Sequence, residues 1–138
     1  MFRSACFSLA PLALLTASAL CETATISVEE SRKLVQLALP PATRRLPGLT
    51  LTPGPCAELP CRCRTFDVLW SNPSGSPHCC FYTVDIWTGE VRTPILCKRV
   101  TNRALRKAQK GIRKRFGVTP SQYRDALKAA PAGCCVGP

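Results

Sequence analysis

Residues 79–97 read CCFYTVDIWTGEVRTPILC, and their reading decides the fold. The first half, 79–87, is rich in aromatic and β-branched side chains, which suit a pleated, half-buried surface and predict a strand. Side chains alternate along a strand. Cys80, Tyr82, Val84 and Ile86 therefore fall on one face, and Phe81, Thr83, Asp85 and Trp87 on the other. Thr88 and Gly89 turn the chain, and 91–97 runs back with Val91, Thr93, Ile95 and Cys97 on one face. Pro94 has no N–H to give to a ladder, which predicts that this return strand lies at the sheet edge.

Downstream, Thr101 or Asn102 caps a predicted helix over 103–116, RALRKAQKGIRKRF, with Leu105, Ala108, Ile112 and Phe116 near helical spacing. Apart from these and Ala104, Gln109 and Gly111, every position in it is basic, and Gly117 ends it as a C-cap. Thr119 as N-cap, Pro120 at the first helical position and Gln122 in the capping-box place open a second helix, which Pro131 stops. Upstream, FDVLW (66–70) reads as an extended segment or one helical turn, and SNPSGSPH (71–78) as turn chemistry. Residues 27–39, SVEESRKLVQLAL, set Ser27 and Glu30 in capping-box spacing ahead of Leu34, Val35, Leu37, Ala38 and Leu39. Pro40 and Pro41 stop that helix, and 40–55, with five prolines and two glycines, predicts an extended connector.

The first twenty residues, MFRSACFSLAPLALLTASAL, put Arg3 ahead of an uncharged, mostly apolar run and small residues for cleavage, the pattern of a secretory signal peptide. The expected organisation is a leader over 1–21, a helix and Pro-rich connector over 22–55, and a cysteine-rich core with two C-terminal helices over 56–138. About 117 of the 138 residues remain after the leader, enough for one small domain of the kind that often needs covalent staples. Eight cysteines follow it: Cys56, Cys61, Cys63, Cys79, Cys80, Cys97, Cys134 and Cys135. An even set in a short exported chain reads as a disulfide framework, although eight cysteines allow 105 pairings. Zinc ligands usually stand two to four residues apart, whereas the spacings here are C-x-C and CC, so no metal is expected.

The net charge is +11, and no acidic residue lies between Glu90 and Asp125. Arg106, Lys107, Lys110, Arg113, Lys114 and Arg115 crowd the predicted basic helix as candidate contacts to an anionic partner. On an exported protein such a block fits sulfated glycans, anionic membrane or an acidic protein face, and export argues against nucleic acid. Catalysis fails on inventory. The one histidine, His78, stands in a turn with nothing to mark it as a base, and no phosphate loop or C-x-x-C motif is present. No cofactor is expected.

From Cys61 onward the chain resembles a CXC chemokine. ELPCRC (58–63) looks like the motif leading into that fold, and CCFYTVDIWTGEVRTPILC like its second and third strands with the third and fourth cysteines. The basic helix sits where the family's C-terminal helix packs. The resemblance implies bridges from Cys61 to Cys79 or Cys80 and from Cys63 to Cys97, which would restrict the unfolded chain. It also implies a helix that binds sulfated glycans and a receptor-binding segment before Cys61. The gap from Cys63 to Cys80 is short for that family, however, and a long segment precedes the C-x-C. A second helix and a terminal CC also follow the helix that should end the domain.

These departures suit herpesvirus envelope glycoprotein L, a small subunit with a chemokine-like strand core and added terminal segments. ISVEESRKLVQLALPP resembles that family's N-terminal arm, and HCCFYTVDIWTGEV its segment in which a cysteine leads a strand ending in tryptophan. TPSQYRDALKAAPAGCC is similar to the helix and late cysteine pair of some members. The resemblance implies a small, disulfide-stapled, chemokine-like α+β domain: short antiparallel strands, a packed basic helix, and added N- and C-terminal helices. It implies a non-catalytic subunit in the secretory pathway that binds glycoprotein H, supports its folding and transport, and acts in membrane fusion at the virion envelope and host cell surface. Its attachment to membrane would run through that partner, which Leu34, Leu37, Phe81 and Trp87 would face. The alternative expectation is a secreted chemokine-like cytokine that binds a receptor and sulfated glycans.

Overall fold

In the structure, a computed structural model that describes residues 25–54, 62–93 and 98–129, two helices precede a run of five strands and two helices follow it. The order is α1 (Val28–Ala38), α2 (Pro41–Arg44), β1 (Thr50–Pro53), β2 (Cys63–Leu69), β3 (His78–Asp85), β4 (Val91–Thr93), β5 (Lys98–Arg99), α3 (Arg103–Arg115) and α4 (Pro120–Lys128). The architecture is α+β. The strands form one antiparallel sheet in chain order, β1-β2-β3-β4-β5.

The alternation expected of 79–87 sets the inner face. Phe66 stands opposite Tyr82, Val68 opposite Cys80, and Val84 opposite both Arg64 and Val91, so these side chains share one side of the sheet. Phe66, Val68, Val84 and Val91 are fully buried there. Each such side chain contributes about 1.5–3 kcal/mol relative to exposure. Leu51 of β1 extends the same row, opposite Val68.

Helix α1 covers this face with Leu34, Val35 and Ala38, and α3 adds Leu105 and Ile112 to the same apolar core. The two helices lie side by side and antiparallel. Glu30, at the start of α1, pairs with Arg115 at the end of α3, and Asn102, ahead of α3, donates to the Leu37 carbonyl near the end of α1, at 2.7 Å. Both predicted capping boxes form, Ser27 with Glu30 on α1 and Thr119 with Gln122 on α4. Arg44 closes the other end of α1, donating to the Leu37 and Leu39 carbonyls at 2.9 Å each. Carbonyls at a helix C-terminus have no intrahelical donor, and these side chains supply one.

Two local expectations are corrected and one open choice is settled. The segment 40–55 is not merely a connector: it holds α2 and the edge strand β1, which pairs with β2 from Thr50 opposite Leu69 to Pro53 opposite Phe66. Of the two readings of FDVLW the extended one holds: it is strand for most of its length, since β2 runs to Leu69. The return strand β4 is not an edge, because β5 pairs with it, Arg92 opposite Arg99. Pro94, Ile95 and Cys97 lie outside the described residues.

Candidate functional site

Helix α3 divides sharply into two faces. Asn102 caps it, its side chain accepting from the Leu105 N–H at 2.8 Å. Leu105, Gln109 and Ile112 are buried, and the Gln109 side chain donates to the Gly89 carbonyl at 3.0 Å. On the opposite side, Arg103, Arg106, Lys107, Lys110 and Lys114 are exposed at spacings of three and four residues. Such spacings bring side chains together on one face of a helix. At about 1.5 Å per residue, the row from Arg103 to Lys114 covers roughly 16 Å. None of these five side chains has a hydrogen-bond or ion-pair partner among the described residues. Like charges at this spacing destabilise a helix by about 0.2–0.5 kcal/mol per pair. Stability of the fold therefore does not account for the row.

The other two cations of the basic block pair with carboxylates of the protein itself. Arg115 Nη1 lies 2.6 Å from Glu30 Oε1. The hydrogen bond from Arg115, followed by that from the Ser27 N–H, holds the Glu30 carboxyl below its ordinary value. Arg113 Nη1 stands 3.6 Å from Glu90 Oε1, an ion-pair distance rather than a hydrogen bond, and its guanidinium covers the Tyr123 ring at 3.9 Å. The Glu90 side chain is 3% exposed and serves as the hub of this cluster. Arg99 Nε donates to its Oε2 at 3.0 Å, the Tyr123 hydroxyl donates to Oε1, and Arg99 Nη2 donates to the Tyr123 oxygen at 3.0 Å. Burial and then the bond to Glu90 raise the Tyr123 hydroxyl above its usual range. One carboxylate thereby fastens β5, α3 and α4 to the sheet.

The β3–β4 turn is built around a second buried carboxylate. Asp85 Oδ1 accepts from the Trp87 and Thr88 N–H groups, both at 2.9 Å, and Gly89 takes the left-handed conformation at φ 73°. Arg62 Nε lies 3.0 Å from Asp85 Oδ2 in ion-pair range, although no hydrogen-bond angle is met. The Arg62 guanidinium stacks over Trp87 at 5.3 Å. Beside this pair an open cleft of about 290 Å³ is lined by Arg62, Trp87, Gln122, Asp125, Ala126 and Ala129.

The residues expected to face a partner do not share one surface. Leu34 is corrected: at 2% exposure it belongs to the core, because α1 spends its apolar face covering the sheet. Leu37 is half-buried against that core, Phe81 is half-buried in β3 opposite Asp67, and Trp87 borders the Arg62 cleft. Of the expected anion-binding set, Arg106, Lys107, Lys110 and Lys114 stand together with Arg103, while Arg113 and Arg115 are engaged within the protein. His78 Nε2 lies 3.5 Å from Asp67 Oδ1 with both side chains largely exposed. The buried acids Glu90 and Asp85 were not singled out in the sequence. Glu90 carried a signal, since it is the last acid before a long basic run and sits between Gly89 and a strand.

Among the described cysteines, Cys63 is disulfide-bonded. Cys79 and Cys80 are free thiols, which corrects the expectation of bridges from them to Cys61. Across the sheet Cys80 faces Val68 rather than another cysteine. Cys56, Cys61, Cys97, Cys134 and Cys135 lie outside the described residues. Among the described residues no cluster of three His, Cys, Asp or Glu side chains could hold a metal ion. No helix there is long and apolar enough to cross a membrane.

Fold and site together define a small α+β protein with a five-stranded antiparallel sheet, a helical cover and a cationic helix face. No protein-family model and no curated protein matches the chain. Among solved structures, the fold is similar to one in the structure of a type VI secretion system effector-immunity complex from Pseudomonas protegens. The TM-score is 0.62 and the identity 17%, over 75% of this chain and 88% of that one. At this identity the likeness is one of fold.

That likeness corrects the two family readings of the sequence. The neighbour belongs to a bacterial effector-immunity complex, neither a viral envelope subunit nor a cytokine. The glycoprotein L and chemokine assignments are withdrawn, and with them glycoprotein H as partner and a place in the virion envelope.

Proposed function

We propose that this chain is a non-catalytic member of a two-protein complex, exported through its leader, and that it docks on an acidic face of its partner through the cationic row of α3. The observation that carries the reading is the set Arg103, Arg106, Lys107, Lys110 and Lys114, aligned, exposed and without partners among the described residues. Complementary potentials across an interface speed encounter and fix its register. The seat of α3 fixes the backbone that carries these charges, so binding need order only their side chains, since Leu105 and Ile112 are anchored in the core and Asn102 ties the helix start to α1. The likeness to a chain in an effector-immunity complex supports a role in a protein pair. The lone histidine, paired only with an exposed carboxylate, supports a non-catalytic role.

The test titrates the full chain with a glutamate-rich peptide, a heparin oligosaccharide and anionic lipid vesicles. Arg106→Ala/Lys107→Ala/Lys110→Ala/Lys114→Ala is compared with wild type. The peptide should bind wild type at low salt, and the variant should lose at least tenfold in affinity, about 1.4 kcal/mol, with its far-ultraviolet circular dichroism unchanged. Equal binding by the variant would overturn the reading. So would tight binding of heparin or vesicles with none of the peptide, which would assign the surface to a glycan or a membrane.

A further inference from the structure

Strands β2 and β3 slip register between Val68 and Leu69: Val68 stands opposite Cys80, but Leu69 stands opposite His78. Cys79 is therefore the extra residue of a β-bulge, with no counterpart on β2. In a regular strand, neighbouring side chains point to opposite faces, whereas a bulge re-aims them. Here the result is that Cys80 Sγ lies 3.2 Å from Cys79 Sγ. The two sulfurs differ in setting. Cys79 is exposed, while Cys80 packs partly against the core. Burial, and then the contact with Cys79, pushes the Cys80 thiol up to about 12. Cys79 is the sulfur that solvent reaches first.

We infer that Cys79 and Cys80 form a thiol–disulfide exchange site that closes into a vicinal disulfide, with a small-molecule disulfide such as oxidised glutathione as oxidant. The Cys79 thiolate attacks one sulfur of the small disulfide, forms a mixed disulfide and releases one thiol. Cys80 then gives its proton to solvent and attacks the Cys79 sulfur, forming the Cys79–Cys80 bond and expelling the second thiol. The protein loses two electrons and two protons, and the oxidant leaves as two reduced thiols. A vicinal pair needs no approach by a distant segment, only an adjustment of the peptide between the two residues, whose Cα atoms at about 3.8 Å stand closer than the usual disulfide span. The site is independent of the α3 surface.

The sequence supplies a clean readout. Trypsin cuts after Arg64 and Arg92, and the fragment 65–92 contains Cys79 and Cys80 and no other cysteine. The full chain is equilibrated with oxidised glutathione, alkylated, digested without reduction and weighed. The expected result is a lone 65–92 fragment, lighter by two hydrogens and resistant to alkylation until reduced. Cys80→Ser should trap glutathione on Cys79 as a stable mixed disulfide. Recovery of 65–92 joined to another cysteine-bearing fragment would overturn the proposal, as would free alkylation of both thiols in the wild type after oxidant. Failure of Cys80→Ser to trap glutathione would overturn the order of attack.

Discussion

Glu90→Ala removes the one carboxylate that Arg99, Arg113 and Tyr123 share. Glu90 is 3% exposed and Arg113 only 18%, so the substitution leaves a largely enclosed guanidinium without its counter-charge. Deleting one partner of a buried ion pair costs roughly 3–5 kcal/mol. Arg99 is 41% exposed and can rehydrate, which sets the expected loss at the low end, about 3 kcal/mol. Glu90→Gln keeps an acceptor for the Tyr123 hydroxyl and should cost about half as much. Urea unfolding followed by fluorescence of Trp70 and Trp87 measures both. With a slope of about 1.5 kcal/mol per molar, the Glu90→Ala midpoint should fall by about 2 M with the slope unchanged. A double-mutant cycle with Tyr123→Phe should return a coupling of about 1 kcal/mol or more, as expected for groups in one network. A Glu90→Ala midpoint within about 0.3 M of wild type would refute the claim that this carboxylate fastens α3 and α4 to the sheet.

Gly89→Ala should destabilise by about 1–2 kcal/mol from the left-handed backbone alone. The new Cβ would also press on Ile112 Cδ1 at 3.2 Å and Leu34 Cδ1 at 3.3 Å, so a thermal midpoint equal to wild type would contradict the turn geometry. Alkali should destabilise the fold through Tyr82, whose hydroxyl is pushed from 10.0 to about 12 by burial and then by Cys80 and Cys79. Between these values the unfolded chain releases the proton and the folded chain keeps it. The stabilisation is therefore complete below pH 10 and is lost as pH rises towards 12. Tyr82→Phe should flatten that part of the stability–pH curve, and an unchanged slope would contradict the assignment.

What could be read in the sequence was what local chemistry controls. The hairpin after Cys79 followed from its aromatic and β-branched alternation, and the caps at Ser27, Asn102 and Thr119 from side chains reaching backbone groups a few residues away. Strand β1 was hidden because Thr50–Pro53 sits in a proline-rich stretch and becomes strand only by pairing with β2. Strand β5 is two basic residues that carry no β signal of their own. The cationic face of α3 was visible in the helical spacing. That Arg113 and Arg115 leave it was not, because Glu90 and Glu30 are brought to them by the fold from far along the chain. Leu34 shows the same limit: an apolar stripe announces that something covers it, but the choice between a partner and the protein's own sheet is made in three dimensions.

The most direct test of the binding account is an amide chemical-shift map of the isotopically labelled full chain, recorded while a glutamate-rich peptide is added. The account predicts shifts concentrated on α3, at Arg103, Arg106, Lys107, Lys110 and Lys114, that fade with added salt, since exposed charges are screened over about 10 Å at 0.1 M. Shifts centred on the Arg62–Trp87 cleft or on the outer edge of β1, with α3 unmoved, would contradict it.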